Sequence, residues 1–294
     1  MPKPIRNMGA SVRSRLLATA KERNQPFDLL LTRYALERIL YRLSLSEHRQ
    51  RFVLKGAMLV TTWFTDPLRP TRDLDLLGFG DPDAQAMLGV FREICAVAVD
   101  DGLEIDLDGL RVDRIRDELE YGGLRIRTIA TIGGARVNIV IDIGFGDAVE
   151  PGLEETVLPV LLDLPAPRLR AYARETVIAE KFQAMVLLGR ANSRMKDYYD
   201  VWVLARTYAF GGDRLARAIA ATFARRRTSL PDTLPDGLTK DFAEDPMKRS
   251  QWEAFSRDLA VAPGPLEAVV EDLAAFLMPH LETAKMIGGS SGGN

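Results

Sequence analysis

Thiol and imidazole groups are scarce in this chain: among 294 residues there is one cysteine, Cys95, and two histidines, His48 and His280. A lone cysteine excludes an intrachain disulfide and fits a reducing, cytoplasmic setting. Cys95 lies in the apolar run Ile94-Cys95-Ala96-Val97 and reads as a core residue. Histidine-rich zinc sites are out, and a serine triad or Cys/His pair would have to use one of the two imidazoles. No apolar run approaches the roughly 20 residues that span a bilayer, and the basic first residues lack the apolar stretch of a signal peptide. Net charge is only −2, so no global positive field attracts nucleic acid, and any such partner needs a local patch. Phosphate-binding glycine motifs are also missing. The nearest strings, Gly78-Phe79-Gly80 and Gly144-Phe145-Gly146, lack the third glycine. What remains is chemistry carried by carboxylates, lysine and metal.

The composition, 47% hydrophobic and 27% charged, is that of a globular protein, and the length suits two lobes better than one core. Residues 1–50 read as N-terminal helices packing on the core, with apolar residues at helical spacing over 12–22 and 27–43. Residues 51–163 read as a mixed αβ lobe. It starts with a short strand at 51–55, a helix at 57–64 and a turn marked by Asp66-Pro67 and Arg69-Pro70. A second strand at 73–77, a helix at 83–99 and two long strands at 124–132 and 135–145 follow. Gly133-Gly134 between the long strands signals a hairpin. Leu164-Pro165-Ala166-Pro167 marks the expected lobe boundary, and residues 164–287 read as entirely helical. Residues 288–294 are rich in glycine and serine and read as a flexible tail. The fold class expected is α+β, a mixed sheet flanked by helices with a C-terminal helical lobe.

The strongest chemical signal is Thr71-Arg72-Asp73-Leu74-Asp75-Leu76. On a strand, residues two apart share a face, so Asp73 and Asp75 stand side by side while Leu74 and Leu76 face the core. Adjacent carboxylates repel unless a cation lies between them, and oxygen ligands of this kind suit Mg²⁺ or Mn²⁺, which also bridge a triphosphate. Two exposed aspartates on a half-buried strand give the same pattern. Asp142 adds weight, because it sits in the apolar strand Val137-Asn138-Ile139-Val140-Ile141-Asp142-Ile143, where an isolated charge is costly to bury. It completes a metal-binding set, or it is a solvated aspartate near a strand end.

Lys181 is the next signal. Ile178, Met185 and Val186 lie at i−3, i+4 and i+5, so the lysine points toward an enclosed face and needs an anionic partner. A triphosphate would serve, as would a surface acid reached by snorkelling. The string Arg194-Met195-Lys196-Asp197-Tyr198-Tyr199-Asp200 follows. Asp197 reads as a helix N-cap and Asp200 as an acid favouring the helix N-terminus, or the cluster positions Lys181 and a nucleotide. Seven basic residues (Arg168, Arg170, Arg174, Lys181, Arg190, Arg194 and Lys196) are opposed locally only by Glu175 and Glu180, an expected phosphate-binding surface.

In combination, Leu54-Lys55-Gly56-Ala57, Asp73-Leu74-Asp75 and Ile141-Asp142-Ile143 resemble the polymerase-β-type nucleotidyltransferase pattern. Ala179-Glu180-Lys181-Phe182 and Arg194-x-Lys196-Asp197-x-x-Asp200 are similar more specifically to the AbiEii/AbiGii toxin family, which includes the MenT toxins. The resemblance covers roughly residues 27–258, with Gln251-Trp252-x-x-Phe255 late in the chain. It implies a toxin of a toxin–antitoxin or abortive-infection system. Such a protein transfers a nucleotide from NTP to an RNA acceptor, best understood as a tRNA 3′ end, and is countered by an antitoxin encoded nearby. By position it assigns metal to Asp73 and Asp75 and triphosphate to Lys181, with Asp197 or Asp200 completing the site. Lys55, Gly56, Ala57, Arg72, Arg194 and Lys196 fall where the nucleotide is expected. Gly56-Ala57 stands where the family usually has Gly-Gly or Gly-Ser, and the sixteen residues between Gly56 and Asp73 exceed the usual spacing. Transfer to a protein or small molecule, or a non-catalytic NTP-binding module, are the rival readings. Thr71, two residues before Asp73, is from position alone a candidate site for regulatory phosphorylation by a kinase-like partner.

Overall fold

The computed structural model describes residues 7–64, 69–115, 122–257, 259 and 261–290. Helix α1 (Met8–Glu22) begins at Asn7, whose side chain accepts a hydrogen bond from the Ala10 N–H at 2.9 Å. It buries Val12, Leu16 and Ala20, one face at four-residue spacing. Helix α2 (Phe27–Leu45) is buried on nearly all sides and carries Glu37, Arg38 and Arg42 inside. Their partners come from far along the chain. Asp101 accepts from Arg38 Nε at 3.0 Å and from both Arg42 terminal nitrogens at 2.6 and 3.1 Å. Glu37 accepts from Arg33 at 2.9 Å and from the Leu161 N–H at 3.0 Å. Buried charges persist where opposite charges and hydrogen bonds partner them. Burial still pushes the Glu37 carboxyl up to about 7.

Strand β1 (Phe52–Lys55) runs into a short helix, α3 (Gly56–Val60), which tightens to a 3-10 turn at Thr61–Trp63 rather than continuing to residue 64. The expected Asp66-Pro67 turn lies outside the described residues. Strand β2 (Leu74–Gly78) and helix α4 (Ala84–Ala96) follow, α4 capped by Asp83 on the Ala86 N–H at 2.7 Å. Cys95 lies in the buried face of α4, and burial pushes its thiol up to about 12. The remaining strands are β3 (Leu103–Ile105), β4 (Arg111–Ile115), β5 (Gly123–Ile132), β6 (Ala135–Phe145), β7 (Leu153–Val157) and β8 (Arg168–Tyr172). Together they form a mixed sheet in the order β3-β5-β6-β2-β1-β8-β7, with β4 also paired to β5. Gly133 and Gly134, at φ 52° and 84°, turn the β5–β6 hairpin, a geometry that needs positive φ at both positions.

The chain divides into two compact units, 1–146 with 155–171, and 147–154 with 172–294. The boundary expected at residue 164 therefore falls later. After Pro167 the alternation Leu169-Arg170-Ala171 makes a further strand, β8, which pairs in parallel with β1 through Leu54 and Ala171. The region from 164 onward is thus not all helix. The second unit holds α5 (Arg174–Leu188), α6 (Met195–Thr207), α7 (Arg214–Arg225), α8 (Lys240–Glu244), α9 (Pro246–Ser256) and α10 (Leu266–Ser290). Its core includes Phe182 of α5 against Phe223 of α7, ring centroids 5.5 Å apart. Helix α10 runs through Gly288 into the region expected to be a flexible tail, since glycine weakens a helix by about 1 kcal/mol without blocking it. Residues 291–294 lie outside the described residues. Among the described residues, no helix is long and apolar enough to cross a membrane.

Candidate active site

Strand β2 is central to the first unit, and its neighbours set the site. Leu74 and Leu76 are fully buried, so the alternation turns Asp75, and Asp73 just before the strand, to the opposite face. On one side β2 pairs antiparallel with β1, with Lys55 opposite Asp75. On the other it pairs in parallel with β6, with Asp142 beside Asp75. The result is a half-buried group of three carboxylates, Asp73, Asp75 and Asp142, with one oxygen of each within 4.8 Å of the others. An all-oxygen donor set converging in this way fits a hard divalent cation such as Mg²⁺ or Mn²⁺.

Three further features shape the group. Thr71 Oγ1 donates to Asp73 Oδ1 at 2.8 Å, which orients that carboxylate. Gly56 has φ 66° and faces Asp75 directly, while Ala57 turns its side chain into the core. Arg125, which the sequence reading missed, grips Asp142 from β5, with Nε to Oδ1 and Nη2 to Oδ2 both at 2.6 Å. That bond, with the charges of Asp142, Asp73 and Asp113, raises the guanidinium's affinity for its proton. The clue was present. Counting from the pair Ile132–Ala135 beside the glycine turn reaches Arg125 opposite Asp142. Arg72, expected near the nucleotide, reaches Asp28 at 2.6 Å instead, and both side chains are exposed.

In the second unit, Lys181 of α5 has the anionic partner it needs within the fold. Its ammonium lies 2.5 Å from Asp197 and 2.9 Å from Asp200, both fully buried on α6. Arg194 adds a second cation 2.8 Å from Asp197. The capping reading of Asp197 is corrected: α6 starts at Met195 with Arg194 at the cap position, and Asp197 turns inward to the lysine. Asp200 is likewise held inside, not poised at the helix end, and Lys196 is exposed. Next to Lys181, Glu180 and Asp147 share Arg226 at 3.1 and 3.2 Å and both accept from the Tyr172 hydroxyl. Burial raises that hydroxyl's pKa well above the usual phenol range.

Four of the seven basic residues from Arg168 to Lys196 have acidic partners within the fold. Arg168 lies 3.7 Å from Glu155 and Arg190 2.9 Å from Asp241, while Lys181 and Arg194 serve Asp197. Part of the local excess of positive charge is thus met by acids outside the run.

Solved structures similar to this chain include two from Helicobacter pylori. One is a crystal structure of a candidate nucleotidyltransferase from Helicobacter pylori, 15% identical, covering 88% of this chain and 96% of its own, with a TM-score of 0.50. The other is JHP933 from Helicobacter pylori, 16% identical, covering 90% and 96%, with a TM-score of 0.49. At 15% identity the first supports the nucleotidyltransferase fold and no more. No curated protein matches the sequence. The family described as nucleotidyl transferase AbiEii toxin of type IV toxin–antitoxin systems matches residues 38–277. That span holds both the three carboxylates and the Lys181 cluster, and the chain belongs to the AbiEii nucleotidyltransferase toxin family.

Proposed function

We propose that the protein uses Mg²⁺ or Mn²⁺, held by Asp73, Asp75 and Asp142, to transfer a nucleotide from an NTP to an RNA acceptor, a tRNA 3′ end. The observation that carries this reading is the convergence of the three carboxylates from β2 and β6, in a chain of the AbiEii family. The cation would lower the pKa of the acceptor hydroxyl and offset charge on the departing pyrophosphate. The residues themselves orient the reactants. Asp73 and Asp75 present their oxygens on one face, and Thr71 fixes Asp73. The acceptor oxygen bonds to the α-phosphorus, the bond from that phosphorus to the pyrophosphate oxygen breaks, and the hydroxyl proton leaves to solvent or to a carboxylate.

Lys55 lies opposite Asp75 and Gly56 packs against it, and these two with Ala57 are assigned to the nucleotide. Lys181 is assigned to the triphosphate: Asp197 and Asp200 hold its ammonium in place, and its side chain keeps 12% exposure. Arg194, half exposed, is assigned to phosphate as well. The toxin acts in the cytoplasm, where NTP and tRNA are found, and its family implies an antitoxin that counters it.

The test incubates the purified protein with each labelled NTP, total tRNA and Mg²⁺ or Mn²⁺, beside Asp73→Asn and Asp75→Asn. Label in tRNA that disappears in both variants and with EDTA is the expected result. Label in protein alone would overturn the RNA acceptor, and transfer that survives EDTA would overturn the metal. Growth arrest on expression, relieved by the neighbouring gene, checks the toxin role.

A further inference from the structure

Arg125 occupies both oxygens of one of the three carboxylates. Its two bonds to Asp142, each 2.6 Å, form the paired arrangement that is the strongest a guanidinium makes with a carboxylate. A cation ligated by Asp142 must come within about 2.1 Å of one of those oxygens, bringing a double positive charge beside the guanidinium. Cation and Arg125 therefore compete for Asp142. The side chain of Arg125 is 35% exposed and reaches Asp142 from the outward face of β5, so it can leave without disturbing the buried residues Leu124 and Ile126 on the other face. Asp113, its cross-strand neighbour, is already held by Arg127 at 2.7 Å. A planar fork that fits a carboxylate fits phosphate oxygens equally well.

Resting on the metal-dependent reading above, we propose that Arg125 is a positioning residue: it keeps Asp142 from the cation until phosphate oxygens of the nucleotide take the guanidinium. Metal and NTP then bind cooperatively, and the carboxylate group is guarded against cation alone. After the exchange, Arg125 lies against the phosphates and helps to orient them.

The test titrates Mn²⁺ into the intact protein and follows the free ion by electron paramagnetic resonance. Arg125→Ala is expected to bind Mn²⁺ alone about fivefold more tightly than wild type, the factor that a net interaction of about 1 kcal/mol represents. With a saturating non-hydrolysable NTP analogue, corrected for Mn²⁺ bound by the analogue, wild type and variant should converge. Arg125→Lys, which cannot span both oxygens, should tighten binding less, and it decides the matter if the alanine variant fails to fold. Unchanged or weaker Mn²⁺ binding in the folded variant overturns the guard and leaves the metal site standing, since an arginine that merely orients Asp142 would give that result. Absence of Mn²⁺ binding in wild type and variant overturns both.

Discussion

Gly56 and Asp75 are packed so closely that no side chain fits between them: a Cβ on Gly56 would lie 1.9 Å from Asp75 Oδ2. Gly56 also has φ 66°, the left-handed region that favours glycine, at the bend where β1 gives way to α3. The two constraints coincide because the register places Lys55 opposite Asp75, so the next residue closes over the carboxylate. Gly56→Ala is expected to abolish transfer and to lower stability by at least the ~1–3 kcal/mol of a strained backbone. Activity and thermal melting of the purified variant check this. Wild-type activity would show that Asp75 can move without consequence.

Thr71 acts on the Asp73 carboxylate through a hydrogen bond of 2.8 Å. Losing such a bond is worth about 1 kcal/mol, so Thr71→Val should reduce transfer about fivefold and leave the fold intact. A phosphate on Thr71 would remove the donor and add about −1.5 to −2 charges beside three carboxylates. Thr71→Glu, a weaker mimic, should therefore lose at least about tenfold more activity than Thr71→Val. Equal activity in the two variants would count against phosphorylation as a switch.

Lys181 holds two buried aspartates together, so its removal is also a structural event. Lys181→Ala should destabilise the protein by about 3–5 kcal/mol, the scale of a broken buried ion pair. Lys181→Met combined with Asp197→Asn and Asp200→Asn should recover most of that stability, because no buried charge is then left unmatched. Transfer should stay absent in the triple variant. If the triple variant regained activity, the role of Lys181 would be structural alone.

Glu37 predicts a pH dependence of stability. Its carboxyl binds a proton up to about pH 7 in the folded protein, against an ordinary value of 4.5, because burial disfavours the charge. Between those values folding takes up a proton, so its contribution to stability is present below 4.5 and is lost as pH rises toward 7. The full loss is about 3 kcal/mol. Glu37→Gln is neutral at every pH, so its melting temperature should gain on wild type steadily from pH 5 to pH 8. A difference that stays constant over that range would mean Glu37 is ionised throughout.

Much of the first unit was legible in the order of residues. Alternation over 73–77 and 137–143 is a local property, because successive side chains on a strand face opposite ways. It placed Asp73, Asp75 and Asp142 on outward faces, and Gly133-Gly134 located the hairpin. The character of α5 and α6 followed from helical periodicity in the same way. Strand β8 escaped because Leu164-Pro165-Ala166-Pro167 resembles a linker, while its pairing with Leu54 lies more than a hundred residues back.

The sequence by itself determined the strands that carry the carboxylates, the faces they occupy, and that the available chemistry belongs to acids, lysine and metal. Partners were decided only by the tertiary structure. Lys181 calls for an anion on local grounds, but the packing of α5 and α6 supplies Asp197 and Asp200. Arg125 is an ordinary outward residue until register sets it against Asp142, seventeen residues away. In the basic run of residues 168–196, Arg168 and Arg190 meet Glu155 and Asp241, acids outside the run. The physical reason is the same in each case: backbone preference extends over a few residues, whereas an ion pair depends on where distant segments come to rest.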